Sequence, residues 1–355
     1  MYCEFVEMKI FHIASSTILT SGVSVFTAEM ASAQAKLGHD VVVVCRWKAD
    51  YPLENGARYK ILHDINALDE KPDIVHIEAV LSLYMIRAMR WCRANDIPYV
   101  VSPHGGLMPR VFERGKIKKI LFWYFLLRPQ LKRAGAICCT SAEEVKACRK
   151  LGVDRSFLIV PLGVKLPIIS CNKNHDRKRT LLFLGRIGEE KGLVNLLAAW
   201  GQIPHDGWML KLAGPDWRGH LKILEDKIRN ENIHDVVFTG NANEKMKDEL
   251  YREASLFVLP SPMENFSLVV VEALSYGIPA IATKGTPWSE LKARDCGWWI
   301  DVGVEPLAQA LKDAMSLSDG DREIMGEHGR KLVEEKYTWD AVVKDMVKGY
   351  EAILK

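Results

Sequence analysis

Short runs dominated by Val, Ile and Leu recur along this chain, and each is followed by a stretch with helical spacing. KIFHIA, GHDVVVVC, DIVHIE, PYVVSPHG, AICCTS and FLIVPLG fill the first half. TLLFLG, WMLKLAG, DVVFTG, SLFVLPS and PAIAT fill the second. These runs lack strict apolar–polar alternation, so they predict strands covered on both faces, that is, parallel sheets with helices on either side. Repetition of the βα scheme predicts an α/β chain with two doubly wound domains. The 355 residues exceed what one ordinary core holds and suit two. Between the sets, KLPIISCNKNHDRKR is polar and basic and reads as a hinge near residues 165–178. The expected domains are therefore 1–168 and 178–336, with a helix over 337–355 that returns to the first domain. From Pro306 onward the pattern is helical, with Gly329 and Tyr337-Thr338-Trp339 as breaks.

Charge and cysteine usage narrow the partners. Residues 1–170 carry 23 Lys+Arg against 16 Asp+Glu, and the remainder carries 25 against 29. The basic first half fits an acidic partner such as anionic lipid or phosphate, or plain scatter. A nucleic-acid partner is not expected. Eight cysteines stand at 3, 45, 92, 138, 139, 148, 171 and 296 with no CxxC pair, a pattern of reduced thiols and not of disulfides or a zinc site. The longest apolar run, Ile120 to Leu127, is too short to span a bilayer. No charged-then-apolar leader opens the chain. The expectation is a cytoplasmic protein, at most peripheral on a membrane surface.

In open α/β sheets ligands sit beyond the carboxyl ends of the strands, and four loops there carry chemistry. In ASSTILTSGVSVF, Ser21-Gly22 precedes a helix and offers exposed N–H donors, or a plain turn. No GxGxxG occurs, which argues against a dinucleotide oxidoreductase. In VVSPHGGLMPR, His104 follows a strand and either ties its loop or faces a ligand between the domains. In FLGRIGEEKGL, Arg186 and Lys191 stand at a strand end and a helix start, where the macrodipole is already positive. An anion such as diphosphate explains them; pairing with Glu189 and Glu190 is the other reading. In SPMENFSLVVVEALSYG, Ser267 reads as an N-cap. Glu264 then falls in the ligand-side loop, and Glu272 one turn inside a helix rich in poor helix formers.

Glu264 and Glu272 are separated by seven residues, an E-x7-E spacing that resembles the one in retaining glycosyltransferases of the GT-B fold. The chain resembles glycosyltransferase family 4. SPHGGLMPR, GRIGEEKG, AGPDW, FTG and GTPWSELKARDCGWW resemble a bacterial branch that builds surface polysaccharides, in the right order over nearly the whole chain. The resemblance implies two Rossmann-like domains facing a central cleft, with a nucleotide-sugar donor held mainly by the second and an acceptor by the first. It places Arg186 and Lys191 on the donor diphosphate, with Gly22 nearby. Glu264 falls on the hydroxyls of the transferred sugar, His104 beside that sugar, and Glu272 on the ribose. The backbone around Asn265, Phe266, Ser267, Leu268 and Val269 contacts sugar and phosphate. The family often has Gly at the positions of Ser267 and Ser21. Retained anomeric configuration, no metal and no cofactor are implied, and Asp319-Gly320-Asp321 reads as a turn in a helix connection.

Arg114 to Arg133, including Lys116, Lys118 and Lys119, sets basic residues around an apolar block. It reads as an interfacial helix near a lipid-linked acceptor or as a core helix with solvated ends. A sugar-nucleotide epimerase and a non-catalytic nucleotide-sugar-binding scaffold are the rival functions.

Overall fold

A computed structural model describes residues 6–17, 22–109, 116–168 and 179–355 of the chain. They divide into two units, Met1–Gly163 with Trp339–Lys355, and Val164–Thr338. The first unit thus ends before the polar stretch read as a hinge, of which residues 169–178 lie outside the described residues.

The first unit is built on seven parallel strands: β1 (Lys9–Ala14), β2 (Asp40–Cys45), β3 (Arg58–Ile61), β4 (Ile74–Glu78), β5 (Tyr99–Ser102), β6 (Ala136–Cys139) and β7 (Phe157–Ile159). Their order is β3-β2-β1-β4-β5-β6-β7. Alternate residues of the same strands feed two separate cores. Phe11, Val42 and Val75 enter one; Ile10, Val41 and Ile74 enter the other. This is why the strands read as continuous apolar runs. The helix Trp339–Leu354 packs on the helix Gly22–Lys36 and gives Val342, Val343, Met346 and Tyr350 to the second core.

The second unit repeats the design with six parallel strands: β8 (Arg179–Leu184), β9 (Trp208–Ala213), β10 (Val236–Gly240), β11 (Ala254–Leu259), β12 (Ala280–Thr283) and β13 (Gly297–Ile300). Their order is β10-β9-β8-β11-β12-β13. In both sheets the winding direction reverses beside the first strand, between β1 and β4 and between β8 and β11. Such reversals open the crevice in which doubly wound sheets bind ligands. The chain enters and leaves this unit side by side: Val164 bridges Thr338 and its N–H donates to Tyr337 O at 2.8 Å.

Three local expectations need correction. Gly329 does not break a helix; it lies buried inside Asp319–Lys336, where its missing Cβ admits the Leu274 side chain. Asp319-Gly320-Asp321 is the first turn of that helix. Ser318 caps it at the Asp321 N–H, and Asp319 pairs with Arg179 and Arg322, so the motif is structural. The helix read within Arg114–Arg133 is α-helical at Lys116–Phe122 and Arg128–Leu131 with a π-turn, Trp123–Leu127, between. Pro129 has no N–H to give to a preceding carbonyl, and the wider turn stands immediately before it. Nor is it a plain core helix. Trp123, Leu127 and Leu131 are buried, while Ile117 is 77% exposed and Phe125 72%, with Leu121 and Tyr124 also exposed. Arg114 lies outside the described residues. Among the described residues no helix is long and apolar enough to cross a membrane. The six cysteines described are buried and unpaired by disulfides.

Candidate active site

Beyond β8 the chain passes Gly185 and Arg186, makes a short turn at Glu189–Lys191, and reaches Gly192 with φ 69°. A Cβ on Gly192 would collide with the Pro260 carbonyl oxygen, so glycine alone allows this turn to lie against the exit of β11. Lys191 is thereby carried to the loop after β11, where its Nζ lies 2.5 Å from Glu264 Oε1. The pair is 16% and 17% exposed. Arg186 stands apart. Its guanidinium pairs with Glu190 Oε1 at 3.5 Å and lies over the Trp217 ring at 4.9 Å. The local pairing that the sequence offered for this loop thus holds for Arg186 with Glu190, whereas Lys191 faces Glu264 from the loop after β11.

The loop from Ser261 to Ser267, which holds Glu264 and Asn265, is fastened on several sides. Glu264 N–H donates to Gly285 O at 2.9 Å, Thr283 Oγ1 donates to Ser261 O, and Trp288 Nε1 donates to Phe266 O at 2.6 Å. The Phe266 ring is buried against Trp288 and Tyr337. Phe266 is therefore an anchor whose side chain is spent on the core.

Ser267 precedes the helix Leu268–Ser275 but makes no side-chain cap, contrary to expectation. Its backbone is left-handed, φ 73°, which turns Oγ away from the first-turn amides, and Oγ is buried without a partner. The left-handed φ accounts for the glycine that the family often has here. The first amides of the helix, Leu268 and Val269, have no intrahelical acceptor and no capping side chain, so the positive end of the helix stays open to an anion.

Glu272, within this helix, is held at both oxygens. Lys247 Nζ donates to Oε1 at 3.0 Å and the Tyr251 hydroxyl to Oε2 at 2.7 Å. Burial lowers the Lys247 ammonium, but the Glu272 carboxylate outweighs this and holds it above its ordinary value. Burial and the Glu272 charge together push the Tyr251 phenol far up, so it stays a donor.

In the first unit, Gly22 is the exposed first residue of the helix after β1, with open space where a Cβ would sit. Ser21 lies outside the described residues. His104 follows β5 in left-handed conformation, φ 49°. Its side chain is 8% exposed, Nε2 lies 2.7 Å from Glu78 Oε2, and the ring meets Phe26 edge-on. Gly105 N–H donates to the buried Glu144 Oε1 at 2.6 Å. Among the described residues one metal-capable group gathers, His12, His76 and Glu78. Each of its ligand atoms has a hydrogen-bond partner within the protein.

Sequence reading did not single out Glu78, Glu144, Lys247, Tyr251 or Trp288. A signal existed for the first: DIVHIE sets His76 and Glu78 two apart, on one face of a buried strand.

Residues 20–166 match the family described as Glycosyltransferase Family 4, and residues 168–332 match Glycosyl transferases group 1. The chain belongs to the family-4-type GT-B glycosyltransferases. The transferase is 30% identical over 184 residues to an uncharacterized glycosyltransferase of Methanocaldococcus jannaschii, covering 51% of this chain and 46% of that one. It is 24% identical to a GDP-mannose:cellobiosyl-diphosphopolyprenol alpha-mannosyltransferase of Xanthomonas campestris, over 84% of this chain and 79% of the relative. Among solved structures, Anabaena HepE in complex with UDP superposes with a TM-score of 0.80 at 14% identity, covering 97% of the transferase and 100% of that chain. At that identity the likeness establishes the fold.

Proposed function

We propose that the chain moves a sugar from a nucleotide-sugar donor to a hydroxyl of a glycan or lipid-linked glycan, with retention of configuration and without a metal, in polysaccharide assembly. The observation that carries this reading is the Lys191–Glu264 pair beside the uncapped start of the Leu268–Ser275 helix. A diphosphate brings more negative charge than one carboxylate and draws Lys191 to itself, which leaves Glu264 to the sugar hydroxyls. As the sugar–phosphate bond breaks, Lys191, Arg186 and the Leu268 and Val269 amides stabilise the charge left on the diphosphate. Glu272, already oriented by Lys247 and Tyr251, receives the ribose. The leaving phosphate takes the acceptor's proton. The names of the relatives agree with this: one neighbour is seen with UDP, and one relative uses GDP-mannose and a diphosphopolyprenol-linked acceptor.

The test is a panel of nucleotide sugars, screened by thermal shift and then for transfer to diphosphopolyprenol-linked oligosaccharides with and without chelator. One donor is expected to raise the melting temperature and to give an α- or β-linked product matching its own anomer, with chelator making no difference. An inverted product sinks retention, and loss of activity with chelator sinks metal independence. A changed sugar after incubation with donor alone identifies an epimerase. Donor binding with no turnover on any acceptor identifies a scaffold.

The exposed apolar side chains of residues 116–131, flanked by Lys118, Lys119, Lys132 and Arg133 with no acidic residue among them, fit the surface of an anionic bilayer. Membrane attachment would bring the lipid-linked acceptor to the enzyme and keep it at the inner face of the cytoplasmic membrane. Co-sedimentation with phosphatidylglycerol vesicles is expected to fall several-fold when Lys118 and Lys119 become Glu, and again for Phe125→Glu. Equal binding by all variants removes this surface from the proposal.

A further inference from the structure

Parallel pairing of β1 and β4 sets His12 beside His76, and pairing of β4 with β5 sets Glu78 beside Ser102. The two imidazoles stack at 5.2 Å, and all four side chains are buried. Every polar atom is engaged. His12 Nδ1 lies 2.7 Å from Glu78 Oε1 and its Nε2 2.7 Å from Gln34 Oε1. His76 Nδ1 meets the Tyr350 hydroxyl at 2.5 Å and its Nε2 meets Ser102 Oγ at 2.6 Å. Gln34 Nε2 donates to the Tyr350 hydroxyl at 3.4 Å. Glu78 Oε2 faces His104.

A buried ionisable network is costly where apolar side chains could fill the same space, and this one meets the surface at His104. Burial alone would raise the Glu78 carboxyl; the His76 ring and the donors on His104 and His12 outweigh it and hold it well below the usual carboxylate range. Burial takes the His76 imidazole down to about 3. An ionised Glu78 accepts only, so the His104 nitrogen facing it carries the proton. Among the described residues the other ring nitrogen, Nδ1, has no hydrogen-bond partner. Meanwhile Glu144 fixes the next amide, and its second oxygen accepts from Thr140 N and Oγ1 at 2.9 and 3.1 Å.

We propose that Glu78 is a positioning residue for transfer: it fixes the tautomer and orientation of His104, so that Nδ1 is the ring atom presented to the transferred sugar. This rests on the reading that His104 borders that sugar. The experiment is ring-nitrogen NMR of the histidines in the full chain, together with steady-state kinetics, for Glu78→Gln, Glu78→Asp and His104→Ala. A carboxamide offers one acceptor where two rings donate, and aspartate is one methylene short of His104. Both Glu78 variants are expected to shift the His104 nitrogen resonances and to lower kcat about tenfold or more, with donor KM nearly unchanged. Unaltered His104 resonances in a folded variant overturn the proposal. So does unaltered kcat in the Glu78 variants when His104→Ala is impaired. If His104→Ala keeps full activity, the placement of His104 at the sugar fails, while the resonances still report whether Glu78 sets the ring. Should Glu78→Gln not fold, Glu78→Asp, which keeps the charge next to His12, carries the same two outcomes.

Discussion

Glu264→Ala is expected to lower the transfer rate by about a hundred- to a thousandfold while leaving binding of the nucleoside diphosphate intact or tighter. Two properties of the loop make these opposite signs compatible. Its fastenings, through Gly285, Thr283 and Trp288, use the backbone and not the Glu264 side chain, so truncation leaves the loop in place. In the unliganded protein the carboxylate also occupies Lys191, and removing it frees the ammonium for the diphosphate. Calorimetric titration with UDP and GDP, alongside turnover with the identified donor, reads both effects. Full turnover in the variant would sink the assignment of Glu264 to the sugar.

Lys191→Ala carries the second large effect, in the opposite place. A charge-assisted hydrogen bond contributes about 1.5–3 kcal/mol, so affinity for the nucleoside diphosphate should fall roughly ten- to a hundredfold. The loss has two parts, because Glu264 is then left unneutralised where the phosphates must come. Removing both side chains together should therefore restore some of the affinity that Lys191→Ala loses, a non-additivity expected of groups in contact. Titration of the double variant measures it. Strictly additive losses would mean that Lys191 and Glu264 act on separate parts of the ligand.

The architecture was legible because buried parallel strands write themselves as unbroken apolar runs, and those runs were present for the central strands of both sheets. Two of the four edge strands, β3 and β13, were less so. RYKI in β3 is half polar, and GWWI in β13 is only partly buried and sits within a loop-like motif. Gly329 was misread because a glycine that ends a helix and one that lets two helices touch have the same sequence appearance. Ser267 was misread for a related reason: residue type favours a cap, but the cap depends on φ, and φ follows from how the loop is fastened. The acidic pair and the basic pair could be named, yet the contact of Lys191 with Glu264 joins distant loops and appears only when the two strands lie side by side. The histidines of KIFHIA and DIVHIE were visible as polar residues in apolar strands; what they lacked was the register that stacks them.

The bridge between Val164 and Thr338 makes the second unit an insertion whose two ends leave at one place. The last helix, Trp339–Leu354, is synthesised only after that whole insertion, yet it supplies Tyr350 and part of a core to the first unit. During synthesis the second unit can close first, while the first, made earlier, waits with an apolar face uncovered. A frameshift or proteolytic cut just after Thr338 would accordingly damage the N-terminal half, far from the lesion in sequence, and spare the half next to it.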